Sequence, residues 1–235
     1  SLAKQREDIC LLSGDIGNRM FDDFKAIAPN RFINCGIAES NMMSMAAGMA
    51  LSGLRPVIYT ITPFTTTRCL EQIRIGVAYH NAPVIIVGTG SGLSYSELGP
   101  THHSLEDIAI IKCIPNINIL TPSDKQELVI QLREAVKSNC PSYMRIGKKG
   151  EPLLFNQTEN LGIGKANLLL EGDRILIIGI GPIISEALEA SKMLKLQGIN
   201  IGVATMGSIR PLDKEFLNKM INQGYSKWVT LEEHG

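Results

Sequence analysis

Five short apolar runs rich in β-branched residues, at 9–12, 56–61, 84–87, 117–120 and 142–146, alternate with stretches of helical period around 18–28, 40–52, 66–80 and 125–138. Strands that are apolar along their whole length, each followed by a helix, predict an α/β fold: a parallel sheet with helices on both faces. After Gly147 the texture changes to a polar, turn-forming Lys-Lys-Gly-Glu-Pro. A second α/β unit then follows, with strands at 174–178, 199–204 and 227–231 and helices at 183–197 and 214–222. Residues 1–150 and 161–235 are therefore expected to form two domains joined by a linker over 151–160. The second is expected to be incomplete, because its last strand runs into Glu232-Glu233-His234-Gly235 with no closing helix.

Charge narrows the function. Lys plus Arg and Asp plus Glu both total 23, so bulk electrostatics favour neither nucleic acid nor an anionic membrane as a partner. No run approaches membrane-spanning length, and Lys4, Arg6, Glu7 and Asp8 interrupt any apolar leader. Cys10, Cys35, Cys69, Cys113 and Cys140 are scattered without zinc-like spacing, which suits reduced thiols and a cytoplasmic location.

The chemistry concentrates in a few places. Gly36-Ile37-Ala38-Glu39 delivers a carboxylate to the start of a helix of small, soft residues, Ser44 to Gly53, expected to be buried all round. A carboxylate there loses hydration and gains proton affinity, as acid–base chemistry requires, although the helix macrodipole alone also favours an acid in a first turn. Asp15 follows the first strand, at the sheet edge where α/β folds gather ligands, and serves equally as a helix cap. His102 and His103 follow a stiffening Pro100, either as proton shuttles or as solvated loop residues; as neighbours in sequence they make a poor zinc pair. Gly179-Ile180-Gly181 opens a helix after a strand, but Ile184 stands where a dinucleotide fingerprint needs its third glycine, so a tight turn is the stronger reading.

Gly-Ile-Ala-Glu at 36–39, Glu71-Gln72-Ile73-Arg74, Gly-Pro-Thr-His at 99–102, Ile114-Pro115-Asn116 leading to Thr121-Pro122-Ser123-Asp124, Arg210-Pro211-Leu212-Asp213 and Glu232-Glu233-His234 together resemble the C-terminal section of transketolase. The resemblance runs through nearly the whole chain in order. It implies a thiamine diphosphate pyrimidine-binding domain over 1–150 and the start of a transketolase C-terminal domain after it. It implies that Glu39 shares a proton with N1′ of the aminopyrimidine, that Asp15, Ile61 and Phe64 complete the cofactor contacts, and that His102, Arg145 and Lys148 meet the sugar substrate. Glu39 and His102 are the implied catalytic pair.

Departures from the pattern also carry meaning. Transketolases have a histidine where this chain has Gly90 and an acid where it has Leu98, so ordinary pentose phosphate specificity is not expected. No Gly-Asp-Gly with a downstream Asn is present, so a separate N-terminal-section subunit is expected to carry the diphosphate-binding domain and its magnesium. The implied assembly is a heterotetramer that transfers a two-carbon ketol unit between sugar substrates. The competing expectations are a 2-oxo acid dehydrogenase beta subunit, a 1-deoxyxylulose 5-phosphate synthase-like enzyme and a non-catalytic scaffold.

Overall fold

The computed structural model describes residues 2–17, 19–148, 150–155 and 160–235, in two compact units: one from 1–119, 135–148 and 234–235, the other from 120–134 and 149–233. In the first, strands β1 (Ile9–Ser13), β2 (Phe32–Asn34), β3 (Arg55–Ile61), β4 (Ile85–Thr89), β5 (Asn118–Leu120) and β6 (Ser142–Arg145) lie in the order β5-β6-β4-β3-β1-β2. β1 pairs in parallel with β2 and β3, β3 with β4, and β4 with β6. Every residue of β1, β4 and β6 is buried, so these strands read as continuous apolar runs rather than alternating ones. β2 has only three residues, half-buried or exposed, too few to register as a period; the sequence reading missed it.

Helix Glu39–Leu51 corrects an expectation. Glu39, Met42, Met43, Ala46, Ala47 and Ala50 are buried at helical spacing, while Asn41, Ser44, Gly48 and Leu51 are exposed. One face is buried, not all of them. The outer face is made of small uncharged residues, so the sequence shows no polar side to contrast with the core. Gly76 lets the π-helical segment Ile73–Tyr79 approach this helix closely, since a methyl built there would lie 3.3 Å from Ala47 Cβ.

The second unit holds β7 (Ala166–Leu170), β8 (Ile175–Gly179), β9 (Ile201–Met206), the short β10 (Ser208–Arg210) and β11 (Lys227–Leu231). The sheet order is β11-β8-β9-β7, with β7 antiparallel to β9 and the other pairs parallel. Helices Ile184–Lys195 and Lys214–Asn222 fall where the periodicity placed them. At the Gly179 turn, a Cβ would stand 2.5 Å from Ile184 Cδ1, so that glycine serves close packing of strand on helix. Of the expected linker, residues 156–159 lie outside the described set; Leu154 and Phe155 donate backbone N–H bonds of 2.9 and 3.2 Å to Asp124 Oδ2. Among the described residues no helix is long and apolar enough to cross a membrane.

Asp124 also accepts from the N–H groups of Gln126 and Glu127, capping helix Lys125–Lys137. Glu127, in the first turn, is fully buried; its Oε2 accepts from Ser123 N at 2.7 Å and its Oε1 has no partner among the described residues. Burial raises its pKa from 4.5 to about 7, against the lowering effect of the Ser123 bonds. A carboxyl whose folded pKa is raised favours the folded state most when the group is protonated in both states, and that contribution is lost as pH rises through the folded value. The melting temperature of the second unit is therefore expected to fall as pH rises from about 4.5 to above 7, and Glu127→Gln should flatten that slope. A melting profile with the same pH dependence in both proteins would contradict this assignment.

Candidate active site

The functional groups of the first unit gather where β1 and β3 end. Glu39 opens its helix with only 3% of its side chain exposed. Gly14, just past β1, gives it room: a Cβ there would lie 3.5 Å from Glu39 Cγ and 3.1 Å from Thr60. Thr60 Oγ1 is buried beside it without a hydrogen-bond partner among the described residues. Asp15 follows at positive φ, exposed, and accepts a 2.8 Å bond from Asn34 Nδ2.

From the end of β3 the chain turns into a single helical turn, Thr62–Thr65, with Pro63 in the first turn, where its missing N–H costs nothing. Buried Ile61 precedes it and half-buried Phe64 projects from it. Arg68, one turn further on, connects the two parts of the site. Its Nη1 donates to Glu39 Oε2 at 2.8 Å, and its guanidinium carbon stands 4.1 Å from the centroid of the Phe64 ring. His102 also packs against Phe64, the two rings steeply inclined with centroids 5.2 Å apart. Cys69 Sγ donates to Phe64 O at 3.1 Å, and burial lifts its thiol to about 11, so it stays protonated and packs as an apolar residue.

His102 belongs to the loop between β4 and helix Asp107–Lys112. Its Nδ1 meets Thr101 Oγ1 at 3.0 Å, and the Tyr95 ring is steeply inclined to it with centroids 6.1 Å apart. Tyr95 explains Gly90: that residue has φ +72°, and a Cβ on it would lie 2.0 Å from the Tyr95 ring. The room that a side chain at 90 would need is filled by Tyr95. Lys148 lies 4.3 Å over the opposite part of this cluster, on the Tyr95 ring, and pairs with Glu97 at 2.7 Å. Lys148 holds the Glu97 carboxyl below its ordinary pKa. His103 turns aside to Ser96 O at 3.3 Å.

Arg145 is placed elsewhere than at a substrate surface. It is 2% exposed, and its Nε donates to Asp107 Oδ2 at 2.8 Å. The Tyr143 hydroxyl donates to the same oxygen, and burial raises its pKa well above the ordinary value. Arg145 Nη2 reaches Ser104 O at 3.3 Å, where Ser104 and Gly92 exchange backbone hydrogen bonds. A central strand buried on both faces needs its lone charge neutralised from within, and helix Asp107–Lys112 supplies the carboxylate. Arg145 therefore braces the base of the His102 loop.

Sequence reasoning thus missed three residues: Arg68, Tyr95 and Asp107. Arg68 had one signal, its position a turn after Phe64. The Arg68 guanidinium also tests the site's chemistry, because a flat N–H donor with a π face fits Phe64 and Glu39 at once. A flat aminopyrimidine asks for the same two partners. Among the described residues no group of three His, Cys, Asp or Glu side chains is placed to hold a metal ion.

The chain matches the family "Transketolase, pyrimidine binding domain" over residues 1–150 and "Transketolase, C-terminal domain" over 164–235. It is 35% identical over 235 residues to one of the subunits of the apulose-4-phosphate transketolase of Phocaeicola vulgatus, covering 99% of this chain and 75% of that one. It is 34% identical to "Putative transketolase C-terminal section" of Methanocaldococcus jannaschii, covering 99% and 73%. A solved structure described as "Split gene transketolase, inactive beta4 tetramer" superposes with a TM-score of 0.87 at 32% identity, over 99% of this chain and 76% of that one. With both domains matched in order and this fold beneath them, the chain belongs to the transketolase family.

Proposed function

We propose that this chain is the pyrimidine-binding half of a two-chain transketolase that moves a two-carbon ketol unit between sugar phosphates. The observation that carries the reading is the Glu39 carboxylate, buried and paired with a planar N–H donor that lies on the face of the Phe64 ring. Thiamine diphosphate, when bound, supplies the nucleophilic carbon and the electron sink for the transfer. Glu39 holds a proton against the N1′ edge of the pyrimidine, in surroundings dry enough to strengthen that contact. Phe64 and Ile61 offer the ring an apolar wall, and Asp15 lies at the rim. His102 faces substrate oxygens from the other side of Phe64, and Lys148 offers a cation to the phosphate.

A separate subunit with the diphosphate-binding domain holds the magnesium, two copies of each chain assemble, and the enzyme works in the cytoplasm. Support for a partner comes from the exposed apolar side chains on neighbouring helices, with Leu51, Ile75 and Tyr79 at 58%, 48% and 77% exposure. The split arrangement of the relatives supports it independently.

Substrate choice follows from Tyr95 and Leu98. Tyr95 fills the room over Gly90, and Leu98, half exposed, offers no hydrogen bond. A sugar hydroxyl left unpaired there costs roughly 1–3 kcal/mol, about one to two powers of ten in specificity. The reconstituted enzyme is expected to turn over xylulose 5-phosphate with ribose 5-phosphate less efficiently, by that factor, than a ketose phosphate altered at this hydroxyl. Apulose 4-phosphate belongs in the assay with deoxy- and amino-sugar phosphates, because a relative carries its name. Xylulose 5-phosphate as the best donor would reject this part of the proposal.

A further inference from the structure

We propose that Arg68 is a built-in occupant of the pyrimidine seat, which the cofactor's ring displaces when it binds; this rests on the seat being formed by Glu39 and Phe64, as above. The guanidinium takes both features of that seat together: one oxygen of Glu39 at 2.8 Å and one face of Phe64 at 4.1 Å. His102 packs against the same ring at a steep angle, with centroids 5.2 Å apart. A second flat group on the same ring face and the same carboxylate oxygen competes with Arg68 directly.

The anchoring of Arg68 suits displacement. Its backbone is pinned, since Ser40 Oγ donates to Arg68 O at 3.2 Å from the start of the Glu39 helix. Its side chain is 43% exposed, so it can move out into water without burying a charge. Glu39, by contrast, is buried, and without a cationic or N–H partner its carboxylate would lose its ion pair in the interior. Arg68 thus keeps Glu39 paired and positioned until a ring arrives. The occupancy lowers apparent affinity: a seat filled by its own side chain about nine-tenths of the time binds about tenfold more weakly than an open one.

Thiamine, which has the pyrimidine but no diphosphate, isolates this contact. Saturation-transfer NMR on the full chain, titrated with thiamine, should show weak transfer to the pyrimidine protons with the wild type and about tenfold tighter binding with Arg68→Met. Arg68→Met keeps the aliphatic stem and removes the flat cation; Arg68→Lys, which keeps charge but not the flat face, should fall between. Thermal melts establish that each variant is folded. Binding by Arg68→Met that equals or falls below wild type, or is undetectable in all three proteins, overturns the proposal. A gain that persists unchanged in the Glu39→Gln, Arg68→Met double variant would instead place the ring away from Glu39, and so remove the seat rather than the gate.

Discussion

Glu39→Gln, assayed with the partner chain, is expected to lower turnover by about a hundredfold or more while leaving fold and assembly intact. Gln preserves shape and hydrogen-bonding capacity but cannot hold the shared proton. The substitution also has little structural cost, because Arg68 is half exposed and can pair with water once the carboxylate is gone. Its effect therefore falls on chemistry rather than on folding, and a melting curve with the turnover number separates the two. Wild-type turnover in Glu39→Gln would reject the assignment of Glu39 as the acid–base group.

Arg145→Met is expected to act the opposite way, through the fold. The Arg145–Asp107 pair is buried at 2% and 1% exposure, so removing the cation leaves the Asp107 carboxyl group without its ion-pair partner in a dry interior, with Oδ1 already lacking a partner among the described residues. Breaking a buried pair from one side costs about 3–5 kcal/mol, which for a chain of this size lowers the melting temperature on the order of 10 °C. Replacing both members, in Asp107→Leu with Arg145→Met, should recover part of the loss, because an apolar pair leaves no orphaned charge. Since Arg145 also holds Ser104 O, the single variant should loosen the loop that presents His102. An unchanged melting temperature in Arg145→Met would contradict the bracing role.

The alternation of apolar runs with helical periods made most of the sheet readable from the chain alone. Where it failed, the physics is specific. β2 is too short and too exposed to show a period, and β7, Ala-Asn-Leu-Leu-Leu, lacks the β-branched residues that mark a strand. Helix Asp107–Lys112 is six residues long, little more than one turn and a half, and it carries the very carboxylate that neutralises Arg145. Without Asp107 in view, Arg145 stands only as the substrate contact that the family resemblance implies. Glu39 and His102 were legible because each stands in a distinctive local pattern. Arg68 and Tyr95 were not, because what each does depends on a ring or a glycine that only folding brings next to it: Phe64 for the one, Gly90 for the other.

In the proposed enzyme this chain supplies the pyrimidine half of a thiamine diphosphate site and another chain supplies the diphosphate half. Calorimetric titration of thiamine diphosphate with magnesium tests this division most directly, first into this chain alone and then into this chain mixed with a subunit carrying the diphosphate-binding domain. Most of the ligand's charge lies on the diphosphate and its metal, which requires oxygen ligands in a near-octahedral arrangement. Little or no heat is expected with the isolated chain and saturable, magnesium-dependent binding once the partner is added; tight, magnesium-dependent binding to the isolated chain would overturn the division of the site between two chains.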